Sequence, residues 1–77
     1  MNKTMLVKLT AGNTGQTKEQ TEATLWTAFD IVRGAVARGQ TVRLPDFGTF
    51  EARRLVDDVR VVRFSPAEEF QKEVNHW

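Results

Sequence analysis

The side chains of this sequence that are best suited to chemistry are cations near its N-terminus and in its second half. Lys and Arg number 11 against 10 Asp and Glu, so the net charge is +1. Ammonium and guanidinium groups bind phosphate oxygens, and such contacts dominate binding to nucleic-acid backbones. The alternative is a solvated surface on which the cations pair with nearby carboxylates.

Residues that catalyse reactions or hold metals are scarce. The sequence contains no cysteine, and its one histidine is His76, beside the C-terminus. A zinc site would therefore lack thiolate ligands and a histidine cluster. No nucleophile–base set and no glycine-rich phosphate loop is present. We predict a binding protein that is not an enzyme and uses no cofactor or metal.

The length of 77 residues gives a single small domain over 1–77. A monomer of this size buries only about 60% of the surface that its unfolded chain exposes. Because disulfides and metals are excluded, self-association is the remaining way to complete a core. The polar N-terminal segment and the absence of a long apolar run predict an intracellular protein.

The first predicted helix covers about residues 3–13. Asn2 is a suitable N-cap, and Leu6, Val7 and Leu9 would supply the apolar stripe. Glycines follow at 12 and 15, where the helical pattern stops.

A longer helix is predicted over about 18–38. Thr17 and Gln20 form a capping-box pattern at its start, and Gly39 follows its end, where glycine readily takes a left-handed conformation. Its apolar positions recur with helical spacing: Leu25, Ala28, Phe29, Val32, Ala35 and Val36. At 1.5 Å per residue the helix is roughly 31 Å long. One chain of this size cannot cover such a face, which favours a second subunit.

Three strands are predicted after Gly39, where the apolar period changes from 3.6 to 2. They cover about 41–44, 49–55 and 59–64, and Pro45-Asp46 makes the first turn. The loop between the second and third strands is short and acidic.

Apolar residues set the register of the last two strands. Phe50 pairs with Phe64 and Leu55 with Val59, so that Val56-Asp57-Asp58 is the loop.

In this register Arg54 lies opposite Arg60. Like charges facing each other across a ladder are destabilising unless a negative group lies nearby. Either DNA phosphate or the acidic residues Glu51, Asp57 and Asp58 could supply that negative charge.

A third helix is predicted over about 66–75, with Ser65 as N-cap, Pro66 as its first residue and Glu68 in its first turn. The full order is two helices, a three-stranded antiparallel sheet and a final helix. This order predicts an α+β fold.

Several segments together match the pattern of one known family. They are Met1-Asn2-Lys3-Thr4 with Leu6-Val7, Thr14-Gly15, Thr17-Lys18, Phe29 and Gly39, then Val42-Arg43-Leu44-Pro45-Asp46-Phe47-Gly48-Thr49-Phe50-Glu51, and finally Val62-Arg63-Phe64-Ser65-Pro66. The sequence resembles bacterial HU and integration host factor (IHF) subunits over essentially its whole length. The segment from Phe47 to Glu51 is the most specific part.

The resemblance implies an intertwined homodimer or heterodimer whose long β-arms reach around DNA, with a proline at each tip inserted into the minor groove. It also implies a cytoplasmic location, in the bacterial nucleoid or a phage-infected cell. Two features depart from the family pattern. Between Arg54 and Val61 the chain has a short acidic segment in place of a basic arm with its proline. Ser65, Glu68 and Gln71 stand where the family usually carries basic residues.

We therefore expect weak, sequence-independent binding to duplex DNA through the body of the dimer, with little bending. The resemblance implies phosphate contacts at the helix starts and at the base of the arm, where the candidates are Lys3, Lys18, Arg53, Arg54, Arg60 and Arg63. Dimerisation would gather about a dozen basic groups on one saddle. The alternative is an interaction module that pairs with a full-length HU or IHF subunit and weakens its DNA binding. The acidic residues Asp57, Asp58, Glu68 and Glu69 motivate this alternative.

The apolar residues are assigned to a dimer core because they recur at core spacings, although aromatic rings can also stack on bases. The core set is Leu25, Phe29, Val32, Val36, Leu44, Phe47, Phe50, Phe64 and Phe70. Trp26 falls one position outside the stripe of the second helix. We interpret Trp26 as covering part of the helix pair and Trp77 as a frayed terminus. The alternative is that both anchor a partner.

Overall fold

A computed structural model of the chain describes residues 1–76. Its elements, in chain order, are α1 (Lys3–Thr14), α2 (Lys18–Ala37), β1 (Val42–Leu44), β2 (Gly48–Arg54), β3 (Arg60–Pro66) and α3 (Glu68–Val74). The predicted α+β fold is confirmed. The chain divides into two compact units, one spanning Met1–Ile31 and the other starting at Val32. Within residues 1–76, no helix is both long enough and apolar enough to cross a membrane.

Helix α1 begins where its N-cap predicts. The Met5 N–H donates to Asn2 Oδ1 at 3.0 Å, and Gly15, with φ 75°, ends the helix by donating its N–H to the Ala11 carbonyl at 2.9 Å. The side chains of Val7 and Ala11 are buried.

The apolar stripe predicted for α1 is wrong at Leu9, which is 46% exposed. Val7 and Ala11 are four residues apart and share one face of the helix. Leu9 is two residues from each, so it points away from that face.

Helix α2 begins with the predicted capping box. The Gln20 N–H donates to Thr17 Oγ1 and the Thr17 N–H donates to Gln20 Oε1, both at 3.1 Å. At the other end, Gly39 has φ 89°, its N–H donates to the Val36 carbonyl, and the Gln40 N–H donates to the Ala35 carbonyl. This pair of bonds is a Schellman motif. The helix therefore stops because of a glycine that the sequence identifies.

The sheet is an antiparallel meander in the order β1-β2-β3. Val42 pairs with Phe50, and Phe50 pairs with Phe64 on its other side. The Leu55 N–H donates to the Val59 carbonyl at 2.7 Å beyond the end of β2. The register predicted from the apolar residues is confirmed.

The start predicted for the third helix is wrong. Ser65 and Pro66 belong to β3, where they pair with Thr49 and Gly48, and Ala67 is the N-cap of α3 without a side-chain hydrogen bond. The Ala67 N–H donates to the Phe47 carbonyl at 2.9 Å. The fixed φ of proline suits an extended strand as well as a first helical turn, and here sheet pairing outweighs the local helix signal.

Four phenylalanines form the core of the unit that starts at Val32. The ring centroid of Phe47 lies 5.4 Å from that of Phe70 and 5.6 Å from that of Phe64, and Phe50 lies 4.8 Å from Phe64. Such separations are typical of packed aromatic pairs. Yet Phe47 remains 47% exposed and Phe64 38% exposed in the single chain. This aromatic cluster is assembled but not covered.

Gly48 lies against this cluster with no room for a side chain. A Cβ at this position would lie 2.5 Å from Phe64 Cε1 and 2.6 Å from the Ser65 carbonyl oxygen. The second of these atoms is backbone, which cannot rotate away.

Replacing Gly48 by alanine is therefore expected to destabilise the protein by about 1–3 kcal/mol, because the strands must separate or the ring must leave its position. Thermal unfolding followed by circular dichroism measures the effect. Gly12→Ala is the matched control. Gly12 lies inside α1, and no atom beyond the local helix backbone would lie within 4 Å of an added Cβ, so the variant should be stabilised by about 0.5–1 kcal/mol. Equal stability of the two variants would contradict this account of Gly48.

Candidate nucleic-acid interface

The cations predicted to contact phosphate lie in both compact units. Lys3 and Lys18 are the first residues of α1 and α2, in the unit spanning Met1–Ile31. The four arginines lie on the hairpin formed by β2 and β3, in the other unit: Arg53, Arg54, Arg60 and Arg63.

Strand alternation divides these four arginines between the two faces of the hairpin. Arg54 and Arg60 pair with each other and lie on the face that carries Phe50 and Phe64. Arg53 and Arg63 lie on the opposite face, which we call the outer face. The four arginines therefore do not share one face of the hairpin. One ligand on one face of the hairpin can meet only two of them.

Arg60 is engaged by the protein itself. Its Nη2 donates to the Ala37 carbonyl at 3.0 Å, at the C-terminal end of α2. A cation at this end of a helix satisfies a free carbonyl and interacts favourably with the helix dipole. The predicted charge relief also exists, since Arg54 Nη1 lies 3.9 Å from Asp58 Oδ1. Arg54 and Arg60 thus have partners within the chain.

The outer face is less basic than its two arginines suggest. Arg53 Nε donates to Glu51 Oε1 at 3.1 Å, and Glu51 pairs with Arg63 across the ladder. The carboxylate therefore lies beside both arginines on this face. Arg53 is nevertheless 57% exposed, so its guanidinium can still reach a phosphate.

Beyond the arginines the outer face becomes apolar. Leu55 and Val59 are each 54% exposed and lie on this face beyond Arg53. Val61 lies on the same face as the cross-strand partner of Arg53. This apolar patch was not predicted from the sequence. The predicted register nevertheless implies it, because strand alternation places these residues on the same face as Arg53.

The hairpin tip is short and acidic, as predicted. Asp57 has φ 60° and Asp58 has φ 63°, and the Val59 N–H donates to the Val56 carbonyl at 3.3 Å. Positive φ at both central residues is the signature of a type I′ turn, whose twist matches that of the flanking strands. Two carboxylates at this point repel a phosphate backbone.

Lys3 is held within the first unit. Its Nζ lies 3.2 Å from Glu22 Oε2 and 4.3 Å from the centroid of the Trp26 ring, and Trp26 packs edge-to-face on Phe29 at 5.1 Å. Trp26 is half-buried, as expected for a residue that covers part of the helix pair. Trp77 was interpreted as a frayed terminus, with a partner anchor as the alternative, and it lies outside the described residues.

A cleft of about 390 Å³ lies beside Lys3. It is lined by Lys3, Thr4, Val7, Lys8, Lys18 and Glu22. The cleft therefore brings Lys3 and Lys18 together, as candidates for one site. Lys8 was missed in the sequence, because nothing in the local pattern distinguishes it from any exposed lysine.

Comparison with known proteins places these features in context. The chain matches the family described as bacterial DNA-binding protein over residues 1–57. Over 53 residues it is 38% identical to DNA-binding protein HU-1 of Halalkalibacterium halodurans. These residues make up 69% of this chain and 59% of the relative. The match thus spans less than two thirds of that relative's length. The family match ends at Asp57, in the hairpin tip.

Solved structures resemble the chain beyond that point. A mutant of HU from Thermotoga maritima superposes with a TM-score of 0.88 at 28% identity, covering 96% of this chain and 99% of the other. An Anabaena HU–DNA cocrystal structure also gives 0.88, at 32% identity, and covers 96% of this chain and 97% of the other. The fold therefore continues through β3 and α3, where the sequence match has stopped.

Proposed function

This chain belongs to the bacterial DNA-binding protein family, and from that premise we propose that it binds duplex DNA weakly, without sequence preference, through the body of a dimer. The observation that carries the proposal is the likeness over 96% of the chain to an HU protein crystallised with DNA. The DNA contacts come from Arg53 and Arg63 on the outer face and from Lys3 and Lys18. Because these are phosphate contacts, they carry no sequence information. We place the protein in the bacterial nucleoid.

The uncovered aromatic cluster supports the dimer. Phe47 and Phe64 are packed on each other yet more than a third exposed, and Leu44 is 38% exposed beside them. A second copy of the chain covers this surface in our proposal. The homodimer core then comprises Leu25, Phe29, Val32, Val36, Leu44, Phe47, Phe50, Phe64 and Phe70.

The hairpin tip supports binding with little bending. Proteins that kink DNA insert apolar wedges between base steps in the minor groove. The prolines of this chain number two, and these are Pro45 and Pro66, outside the tip. Asp57 and Asp58 occupy the turn instead, and their charge opposes entry into a groove bordered by phosphates.

Fluorescence anisotropy with labelled duplexes of three unrelated sequences tests the proposal. We expect similar micromolar affinity for all three in about 50 mM salt and at least tenfold weaker binding in about 200 mM, since phosphate contacts release counterions. The absence of binding at micromolar protein in the lower salt would refute the proposed function. A strong preference for one sequence would refute its non-specific character.

A further inference from the structure

Among residues 1–76, strand β3 is the longer of the two free edges of the sheet. The order β1-β2-β3 places β1 and β3 at the edges, and β1 has three residues whereas β3 has seven. Proteins protect exposed edges with short strands, bulges, prolines or charged side chains. The shortness of β1 protects that edge. β3 pairs with β2 over its whole length without a bulge, so its protection depends on its two arginines and on Pro66.

The ladder between β2 and β3 determines which backbone groups of β3 point outward. The Leu55 N–H donates to the Val59 carbonyl, and the Ala67 N–H donates to the Phe47 carbonyl. Hydrogen-bonded and non-hydrogen-bonded pairs alternate along an antiparallel ladder, so both bonds assign the odd-numbered residues of β3 to the bonds with β2. The N–H and C=O groups that point away from β2 are those of Arg60, Val62 and Phe64.

These outward groups have no hydrogen-bond partner in the part of the chain that the structure describes. Residues 60–64 are all exposed, and Val62 is 71% exposed. Pro66, which lacks an N–H, ends the row. An extended strand from another molecule can therefore add to this edge, because its backbone hydrogen bonds replace those that the outward groups form with water.

The edge is complementary to a second copy of itself. A two-fold axis at Val62 places this residue opposite the same residue of the second copy, and the antiparallel pairing then uses every outward N–H of both strands. Arg60 lies opposite Phe64 of the second copy, on the face of the aromatic cluster. Val61 lies opposite Arg63 of the second copy, on the outer face. This register therefore avoids like charges directly opposite each other, which would be destabilising.

The two arginines of β3 do not block this register. The Arg60 guanidinium donates to the Ala37 carbonyl at 3.0 Å, and Arg63 lies opposite Glu51 across the ladder. Arg63 and its counterpart in the second copy are diagonal neighbours, about 7–8 Å apart, and each lies beside its own Glu51. The charges that would normally protect this edge therefore have partners within the chain.

We propose that β3 pairs antiparallel with β3 of a second copy and so joins two dimers through a continuous sheet. The contact lies in the plane of the sheet, so the aromatic cluster stays available for the homodimer proposed above. The outer faces of the paired copies, with Arg53 and Arg63, then lie on the same side of the joined sheet. The inference rests on the proposed homodimer and not on its DNA binding.

Sedimentation velocity and amide hydrogen exchange of the unmodified protein, both without DNA, test the pairing. We expect dimers in dilute solution and larger even-numbered species at roughly 100 µM and above, since one strand edge is a small contact. Over the same range the outward amides of Arg60, Val62 and Phe64 should become protected from exchange. The amides of Val61 and Arg63 are assigned to the bonds with β2, so they should be equally protected in dilute and concentrated protein.

Two results of this experiment would overturn the pairing. One is association that leaves the outward amides unprotected, because that contact would use a side-chain face. The other is the absence of association at about 1 mM protein. A dilute protein that sediments as a monomer would contradict the proposed homodimer instead, and protection of the outward amides on concentration would still show the edge pairing.

Two similar substitutions in neighbouring residues should act in opposite directions. Val61→Glu places a carboxylate opposite Arg63 of the second copy and should tighten the association of dimers about two- to tenfold. Val62→Glu places two carboxylates opposite each other and should weaken it by a similar factor. Each variant removes one exposed valine and adds one negative charge, so a contact through apolar surface or net charge alone predicts equal shifts. Equal shifts would overturn the register.

Val62→Pro tests the backbone bonds themselves. Proline removes the outward N–H of this residue and leaves the ladder with β2 intact, and proline is tolerated on an edge whose N–H faces solvent. The variant should unfold at a temperature close to that of the unmodified protein in dilute solution, and it should remain a dimer when concentrated. Association of the folded variant as strong as that of the unmodified protein would overturn the inference.

Discussion

Replacing Phe47 by alanine is expected to abolish the folded state at 25 °C. The Phe47 ring contacts Phe50, Phe64 and Phe70 at centroid distances of 6.2, 5.6 and 5.4 Å. Truncating a buried phenylalanine costs about 3–5 kcal/mol, and a domain of this size has little stability to lose. Far-UV circular dichroism and sedimentation measure the loss of helix and of the dimer.

The destabilisation expected from Phe47→Ala depends on burial of this side chain by the second subunit of the dimer. The side chain is 47% exposed in the single chain, so a monomer would lose far less than the quoted range. The unfolding temperature of the unmodified protein should also rise with protein concentration, as it does when folding and association are coupled. Val56→Ala, in a tip residue that is 79% exposed, should change stability by no more than about 0.5 kcal/mol. A folded Phe47→Ala variant with an unchanged unfolding temperature would disprove the shared core.

The double substitution Arg53→Ala and Arg63→Ala is expected to weaken DNA binding about tenfold or more in about 50 mM salt, because both cations lie on the outer face. The slope of log affinity against log salt should fall by about 1 for each phosphate that the variant no longer neutralises. Anisotropy titrations over a salt series measure both quantities.

The matched control removes the same charge from the other face. Arg54→Ala with Arg60→Ala should leave the salt slope nearly unchanged, since both side chains lie on the face opposite the outer face and Arg60 donates to the Ala37 carbonyl. It should instead lower stability by about 1 kcal/mol, because the hydrogen bond at the end of α2 is removed. An equal decrease of affinity in the two double variants would contradict the division of the hairpin into a DNA-contacting and a self-contacting face.

Local signals predicted most of the backbone. Asn2, the Thr17–Gln20 pair and Gly39 act within one or two turns of the chain, so their hydrogen bonds can be read from spacing alone. The pairing of Phe50 with Phe64 was predictable as well, because a one-residue slip would move the side chains of one strand to the other face. The short loop between the strands excludes larger slips.

Tertiary contacts decided the features that the sequence did not reveal. Ser65 and Pro66 carry a strong local helix signal, yet pairing with Thr49 and Gly48 keeps them in β3. Arg60 reaches a carbonyl 23 residues earlier in the chain, and no local pattern encodes such a partner. Lys3 is likewise compensated by Glu22 across two helices. Side-chain partners distant in sequence therefore limited the prediction of the site more than the prediction of the fold.

In our proposal, the hairpin tip distinguishes this chain from proteins that kink DNA with an inserted wedge. The match to the family model ends at Asp57, in a turn that the carboxylates of Asp57 and Asp58 make acidic. The outer face leads from Arg53 to the exposed Leu55 and Val59, which cannot bind phosphate. In our proposal, DNA contact is thus confined to the base of the hairpin and to the helix starts.

The most direct test of this account measures binding and bending on the same duplex. A duplex of about 30 bp, with a donor at one end and an acceptor at the other, is titrated with protein in about 50 mM salt. We predict that anisotropy rises to saturation while energy transfer between the ends remains that of the free duplex. Increased transfer on binding would contradict the account, and so would a duplex that the protein fails to bind.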